Sequence, residues 1–425
     1  MNVLLIGSGG REHALAIKIA ESVKLTKLYC APGNPGIGKV AELVQVNTSD
    51  SSAVIEFCKK HFINLVVIGP EQPLVDGLAD DLRKNEINVF GPDKEAARIE
   101  GDKAFSKWIM KKYDIPTAAY EVFIKSDKDK ALSYLKTISY PIVIKASGLA
   151  AGKGVAISQT QDEAEATVLE YFEDDKFGES GHTIVIEEFM DGEEASIFAI
   201  TDGKDYVVLP SAQDHKRALD GDKGKNTGGM GAYAPAPIVT ETLLERIKKE
   251  VIEPTLAGME AEGKRYSGCL YCGLMIKDGK PRVVEFNCRF GDPETQVVLP
   301  IVSGDFLELL NSAAEGHINV NSVAYTEGAA VCVVAASGGY PDEYKKGFPI
   351  LGLDKHDDDV IVYHAGTKKE GSDIVTNGGR VLGVTAYSKQ TDVKYCINKA
   401  YDALSKICFD GITYRKDIAF RALNR

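Results

Sequence analysis

Short apolar runs, each closed by glycine or proline, recur through the first hundred positions of the chain. Residues 3–6 (VLLI) run into Gly7-Ser8-Gly9-Gly10-Arg11-Glu12-His13, after which apolar residues return at helical spacing as far as Ala20. Residues 27–31 run into Pro32-Gly33-Asn34-Pro35-Gly36, residues 65–68 into Gly69-Pro70-Glu71, and Val89-Phe90 into Gly91-Pro92. Such runs have the length of buried strands, and glycine or proline supplies the backbone freedom or fixity that a turn requires. The pattern predicts strand, turn and helix repeated along a parallel sheet. Its glycine loops gather on the carboxyl edge, where open α/β sheets bind ligands. Residues 1–102 are therefore expected to form a Rossmann-like half.

Beyond residue 100 the pattern changes. Residues 101–107 open a helix that ends before Ile115-Pro116, and residues 140–145 form a strand with Lys145 at its end. A small-residue loop, 146–154, then leads to strand-like Val155-Ala156-Ile157. Gly148, Gly152 and Gly154 let backbone N–H groups approach a phosphate, and Lys145 and Lys153 add charge. A Walker loop would continue into a helix, so a hairpin whose glycine loop folds over a triphosphate fits better. Residues 183–190 (TIVIEEFM) read as a further strand, followed by Asp191-Gly192-Glu193-Glu194-Ala195-Ser196 and a new strand from Ile197. In VVEFNCRFGDPE, residues 283–294, Glu285 and Asn287 stand two apart on a strand and so share a face, with Arg289 following on it. Two oxygen ligands at that spacing suit Mg²⁺, which completes its shell with water and phosphate, and the guanidinium suits a phosphate or an acyl phosphate.

Composition narrows the choices. The 425 residues are 44% hydrophobic and 26% charged, which is ordinary for a globular chain of about three domains. A net charge of −12 without any basic block argues against a nucleic-acid partner, so phosphate binding has to be local. No apolar run reaches the roughly 18 residues of a membrane span, and the apolar start is too short for a signal peptide. A cytoplasmic protein with no membrane partner is expected. Of the eight cysteines only Cys269 and Cys272 form a C-x-x-C pair. Three residues apart on a strand, their sulfurs point to opposite faces, which suits a core and not a zinc site. G-S-G-G-R-E is an imperfect dinucleotide fingerprint. Glu12 replaces its last glycine, and Tyr29-Cys30-Ala31-Pro32 stands where a ribose-binding carboxylate belongs. A sugar-phosphate monoester held by Gly9, Gly10 and Arg11 fits those residues better than a nicotinamide cofactor.

Taken in order, a helix lysine at Lys103, Lys145 before a glycine-rich hairpin, E-E-F-M-D-G-E-E-A-S and E-F-N-C-R-F-G-D-P-E resemble the ATP-grasp superfamily. G-S-G-G-R-E-H-A, A-P-G-N-P-G, G-P-E, K-A-S-G-L-A-A-G-K-G-V, Q-D-H-K-R, N-T-G-G-M-G-A-Y-A-P and E-F-N-C-R-F-G-D-P-E-T-Q narrow the resemblance to the phosphoribosylamine–glycine ligase family, over the whole chain. The resemblance implies an α/β protein: a Rossmann-like N-terminal domain at 1–102, an ATP-grasp fold of α+β subdomains at 103–325 with its B subdomain at about 121–186, and a small β-rich C-terminal domain at 326–425. It implies ATP-dependent joining of glycine to 5-phosphoribosylamine, with Mg²⁺ or Mn²⁺. The chain, ending at Arg425, is expected to carry this single activity as a monomer or weak dimer.

By the same resemblance Lys103, Lys145, Gly148, Gly152 and Lys153 are expected at the ATP phosphates and Glu285 and Asn287 at the metal. Glu187 and the main chain of Glu188, Phe189 and Met190 are expected at adenine, and Glu194 at the ribose. Gly9, Gly10, Arg11 and Glu71 are expected at the amine substrate. Asp214, Lys216, Arg217, Gly228, Gly229, Met230 and Gly231 are expected to face the reaction centre with Asp292 and Glu294 nearby. Arg289, Asp214 and Lys145 are expected to act in catalysis, Arg289 at the acyl phosphate. His13 is expected at the phosphate-loop helix and His215 beside the reactive loop. Another ATP-grasp carboxylate–amine ligase is the alternative. A biotin-dependent carboxylase subunit would share the ATP half but not N-T-G-G-M-G-A-Y-A-P, and a non-catalytic nucleotide-binding regulator would need a broken metal pair.

Overall fold

The computed structural model describes residues 1–150, 153–174, 176–325 and 327–423. The N-terminal segment forms a five-stranded, wholly parallel sheet in the order Glu42–Leu43, Lys27–Pro32, Asn2–Gly7, Leu65–Ile68, Asn88–Phe90. Its central strands are buried on both faces, while the edge strand Glu42–Leu43 is exposed. Leu4 and Ile6 enter one core and Val3 and Leu5 the other, the two-residue alternation of a covered strand. Helix Gly10–Ala20 starts directly after the first glycine turn, as the periodicity predicts.

One expectation for the next segment changes in detail. The helix expected from residue 101 starts at Lys103 and runs to Lys112, and a separate helix, Lys94–Gly101, which was not expected, precedes it across Asp102. Asp102 is extended, and its carboxylate accepts from the N–H of Phe105, so it ends one helix and caps the next. An antiparallel sheet then runs in the order Tyr120–Ile124, Thr183–Glu188, Ile142–Ala146, Val155–Ser158 and has a core of its own with helices Lys128–Leu135 and Gln161–Phe172. The strand expected at 183–190 stops at Glu188, where its pairing with Ile142–Ala146 ends.

A second antiparallel sheet is ordered Tyr206–Val208, Glu193–Thr201, Gly268–Lys277, Lys280–Asn287. The strand expected from Ile197 begins four residues earlier, at Glu193. Gly268–Lys277 is long enough to pair with it along its whole length, from Thr201↔Gly268 to Glu193↔Ile276. Glu194 and Ser196 are thereby lifted out of a turn and fixed on one face of a sheet. Cys269 and Cys272 enter different cores, as their spacing predicts. The C-terminal sheet is antiparallel in the order Gln213–Asp214, Gly231–Ala234, Ala329–Ala336, Arg380–Ser388, Val360–His364, with helix Val393–Ser405 packed on it. Two of its strands come from far upstream, and the residues between them include an exposed hairpin, Arg217–Leu219 with Lys223–Asn226.

Candidate active site

A cavity of about 390 Å³ lies where the three segments meet. Arg11 and Glu71 reach it from the N-terminal sheet edge, Lys103 and Lys107 from helix Lys103–Lys112, and Lys145 and Glu187 from the paired strands Ile142–Ala146 and Thr183–Glu188. Glu285, Asn287, Arg289 and Asp292 reach it from the end of strand Lys280–Asn287 and beyond, and Arg380 from the C-terminal sheet.

The anion loop is built on Glu12. Its carboxylate accepts from the N–H of Gly9 at 2.6 Å and from Nε of Arg11 at 2.5 Å. Glu12 lies so close under the ends of two strands that a Cβ at Gly7 or Gly69 would overlap it. Arg11 also donates to the carbonyl of Phe290 at 3.1 Å and approaches Glu71 at 4.0 Å. Arg289 bridges Glu71 at 3.2 Å and Glu100 at 3.0 Å. Burial disfavours the charged guanidinium, but Glu100 and Glu71 outweigh it and hold Arg289 above its ordinary pKa.

Two lysines converge on Glu187. Its Oε2 lies 3.0 Å from Nζ of Lys145 and 3.1 Å from Nζ of Lys107, while Oε1 is buried without a hydrogen-bond partner among the described residues. Lys145 also donates to the carbonyl of Val284 at 3.0 Å, tying strand Ile142–Ala146 to the strand that carries Glu285. Burial lowers the Lys107 pKa to about 8 and pulls that of Lys103 down too, with Lys103 donating to the carbonyl of Gly148 at 3.2 Å. For Glu285, burial favours the neutral acid, yet Lys216, Lys145, Lys103 and Arg289 keep its pKa below the usual value. Among the described residues no group of three or more His, Cys, Asp or Glu is placed to hold a metal alone. The ionised oxygen of Glu285 and the amide of Asn287 are hard donors that fit Mg²⁺ or Mn²⁺ sharing its shell with water and phosphate.

Other expected residues stand apart from this cavity. Glu188 faces outward, accepting from the N–H of Ala119 at 3.2 Å and pairing with Arg282, and Phe189 is exposed. Met190 is buried. Gly148 packs its Cα against Ser180, Lys153 is exposed, and Gly152 lies outside the described residues. Glu194 pairs with Lys216 at 2.6 Å. Arg217 donates to the carbonyl of Gly224 at 2.8 Å, within its own hairpin. Gly228 lines the cavity, whereas Gly229 packs on Pro293, Met230 is buried, and Gly231 abuts the carbonyl of Cys332 in the C-terminal sheet. Glu294 accepts from Tyr271 OH at 2.9 Å and from Ser196 Oγ at 3.1 Å. Burial raises the Asp214 carboxyl to about 8, with Glu294, Glu194 and Glu285 adding to the rise and Lys216 opposing it. His13 does lie on the first helix, but it faces the C-terminal segment, where Nδ1 accepts from the N–H of His364 at 2.8 Å. His215 is buried, with Nε2 accepting from the N–H of Ala419 at 2.9 Å.

Sequence reasoning missed Lys107 and Arg380. Lys107 follows Lys103 by four residues and so shares its helix face, a signal that was there to read. Arg380 binds Asp292 through Oδ2 at 2.9 Å and its carbonyl at 2.7 Å, and also donates to the carbonyl of Gly228. Nothing local to Arg380 announces contacts that cross 88 and 152 positions.

Comparison with known proteins agrees with this assembly. Profiles described as phosphoribosylglycinamide synthetase N domain, ATP-grasp (A) domain and C domain match residues 1–100, 101–295 and 330–421. Phosphoribosylamine–glycine ligase of Mesorhizobium japonicum is 51% identical, over 100% of this chain and 99% of that protein. The ligase of the same name from Neisseria meningitidis serogroup A is 48% identical over 100% of both. The crystal structure of phosphoribosylamine–glycine ligase from Thermotoga maritima superposes with a TM-score of 0.85 at 36% identity, covering 99% of this chain and 100% of that one. A biotin carboxylase domain from Hydrogenobacter thermophilus, at 16% identity and a TM-score of 0.73, shares the fold alone. The chain belongs to the phosphoribosylglycinamide synthetase family of ATP-grasp ligases.

Proposed function

We propose that the protein joins glycine to 5-phospho-β-D-ribosylamine using ATP, giving N1-(5-phospho-β-D-ribosyl)glycinamide, ADP and phosphate, the second step of purine (IMP) biosynthesis. The observation that carries this reading is one cavity holding Arg11 and Glu71 from the sheet edge, Lys103 and Lys145, and the Glu285–Asn287 pair. A carboxylate is a poor acyl donor because its leaving group would be oxide. A glycine carboxylate oxygen therefore attacks the γ-phosphorus, the bond to the bridging oxygen breaks, and ADP leaves. The ribosylamine nitrogen then attacks the glycyl phosphate carbonyl, the C–O bond to phosphate breaks, and the nitrogen loses one proton. Both steps need position and charge more than a protein nucleophile.

Lys103 and Lys145 hold ATP phosphates, with Gly148, Gly152 and Lys153 covering them. Glu187 takes adenine with the main chain of 188–190, a role supported by its buried, unpartnered Oε1. Glu194 takes the ribose. Glu285 and Asn287 hold Mg²⁺ or Mn²⁺, which supplies charge neutralisation at the transferring phosphoryl group. Arg289, fixed by Glu71 and Glu100, stabilises the acyl phosphate. Gly9, Gly10, Arg11 and Glu71 receive the ribosylamine, and Asp214, Lys216, Arg217, residues 228–231, Asp292 and Glu294 surround the reacting groups. The proposal includes domains at 1–102, 103–325 and 326–425. It also includes action in the cytoplasm as a monomer or weak dimer; no described helix is long and apolar enough to cross a membrane. The test is ADP release with Mg²⁺-ATP, glycine and freshly generated phosphoribosylamine, omitting each in turn. Release that needs all three is expected, and release with another acid and amine alone would replace the acceptors named here.

A further inference from the structure

Arg415 is a charged group that the ligase reading leaves unused, yet it is only 1% exposed. An arginine is taken that far from water only where its donors are met. Nε and one terminal nitrogen donate as a fork to the two oxygens of Asp417, at 2.8 Å each. The other terminal nitrogen donates to Oδ1 of Asp222 at 2.9 Å and to the carbonyl of Arg217 at 3.1 Å. Arg421 pairs with the remaining oxygen of Asp222. Buried ion networks add little net stability over apolar packing of equal volume, and their best-supported use is to specify one arrangement.

What this network specifies is the place of the hairpin Arg217–Leu219 with Lys223–Asn226. The N–H of Gly221 donates to Asp417 and that of Lys416 to Asp220, at 2.8 Å each, and Lys225 pairs with Asp342 at 2.7 Å. At the base of the hairpin the N–H of Ala419 donates to Nε2 of His215, so the neutral ring carries its proton on Nδ1, 3.9 Å from Oδ1 of Asp222. Among the described residues, every hydrogen bond and ion pair that leaves 217–226, apart from this approach to neighbouring His215, ends in the C-terminal domain. The flanks of the hairpin lead the other way. Lys216 pairs with Glu194 at 2.6 Å, and Gly228 lines the cavity with its carbonyl held by Arg380.

We propose that residues 415–421 form a latch that positions the loop 215–230 for the reaction, with Arg415 as its central positioning residue. The inference rests on the ligase reading above, which gives the two ends of the loop their place around the reacting groups. No residue of the latch touches a substrate. Its effect passes along the arms of the hairpin, one into Lys216 and the other into Gly228, so a single network sets both ends. Misplacement by about 1 Å, caused by a change far from the chemistry, costs up to about a hundredfold in rate.

The test compares Arg415→Met with Val384→Ala, a truncation in the apolar core of the C-terminal domain that has no part in the ion network. Both are expected to lower the thermal midpoint. Assayed well below either midpoint, Arg415→Met alone should lower kcat/KM for ATP about ten- to a hundredfold. It alone should also speed trypsin cleavage after Lys223 and Lys225, which are exposed on the hairpin. Arg415→Lys keeps the charge but not the fork, and should recover part of kcat/KM. Parental kcat/KM in Arg415→Met, or an equal fall in Val384→Ala, would overturn the latch. Should Arg415→Met fail to fold, Arg421→Gln removes the second ion pair of Asp222 from a partly exposed position, and the same two changes are expected of it. Parental kinetics and cleavage in that variant would overturn the proposal equally. If ADP release by the unmodified enzyme does not depend on glycine and the ribosylamine, the ligase reading fails instead. The latch is then judged on cleavage, and equal rates in the latch variant and Val384→Ala would dismiss it.

Discussion

Glu285 is the residue on which the buried cations converge, because Lys216, Lys145, Lys103 and Arg289 all face it. Replacing it by glutamine keeps the shape and removes the charge. Glu285→Gln should cut ADP formation by about a hundredfold or more, the scale for losing one preorganised electrostatic group, while circular dichroism stays that of the parent. Near-parental turnover would remove Glu285 from the metal role. This residue was legible because strand geometry places positions 285 and 287 on one face, and both side chains line the cavity together with Arg289, which lies just past the end of the strand. Arg380 was not. Its partners are a carboxylate and two carbonyls brought to it by the C-terminal sheet, and a carbonyl leaves no mark in a sequence. Glu188 shows the opposite case. An acidic doublet reads as two candidates, but the alternation of the strand turns Glu187 inward and sends Glu188 out to Arg282.

At the scale of elements, the glycine turn after the first strand works through the glutamate beneath it. Glu12 ties the N–H of Gly9 to the guanidinium of Arg11, and it fits only because Gly7 and Gly69 carry no side chain. A methyl group at Gly69 would strike the Glu12 carboxylate, so Gly69→Ala should destabilise the protein by about 1–3 kcal/mol through overpacking. It should also raise the KM for the ribosylamine, read in parallel denaturation and steady-state experiments. An unchanged KM together with the stability loss would confine Glu12 to a structural role. Arg11→Ala removes the cation without crowding the turn. It should raise the ribosylamine KM about ten- to a hundredfold and that of ATP far less, whereas equal effects on both would contradict a phosphate site at this turn. The strand–turn–helix units of the first hundred residues were legible because local periodicity and glycine placement determine them. The sequence did not announce that Glu193–Ser196 is strand, since that follows from the length of its partner, which pairs Glu193 with Ile276 and Ser196 with Gly273. Nor did it show that residues 213–234 lend two strands to the C-terminal sheet.

Over the whole molecule, the first and last segments are held together by a pair of neutral histidines. Nδ1 of His13 accepts from the backbone of His364, Asn34 donates to the carbonyls of Ser8 and His364 at 2.8 Å each, and Lys39 bridges to Asp354 at 3.3 Å. Burial drives the His13 pKa down to about 3, with His364 and Lys39 adding to the fall, and burial with Lys39 takes His364 to about 4 against a small opposing pull from Asp354. Both groups bind protons more readily unfolded, where the ordinary value is about 6.5. Stability from the clasp is therefore complete above about pH 6.5 and is lost as pH falls toward the folded values, by up to about 2 kcal/mol per histidine at pH 5. Carboxylates elsewhere also titrate in that range, so the informative quantity is a difference between two proteins. Denaturant midpoints at pH 7.5 and pH 5 should fall more steeply for the parent than for His364→Gln. The glutamine lowers stability at pH 7.5, because its amide replaces a ring fitted against His13 and Gly36, but it has no proton to take up. If the two proteins lose stability in parallel between those pH values, the acid sensitivity of this chain lies elsewhere. The junction of its first and last segments would then draw its pH-independent strength from Asn34, the Lys39–Asp354 pair and packing.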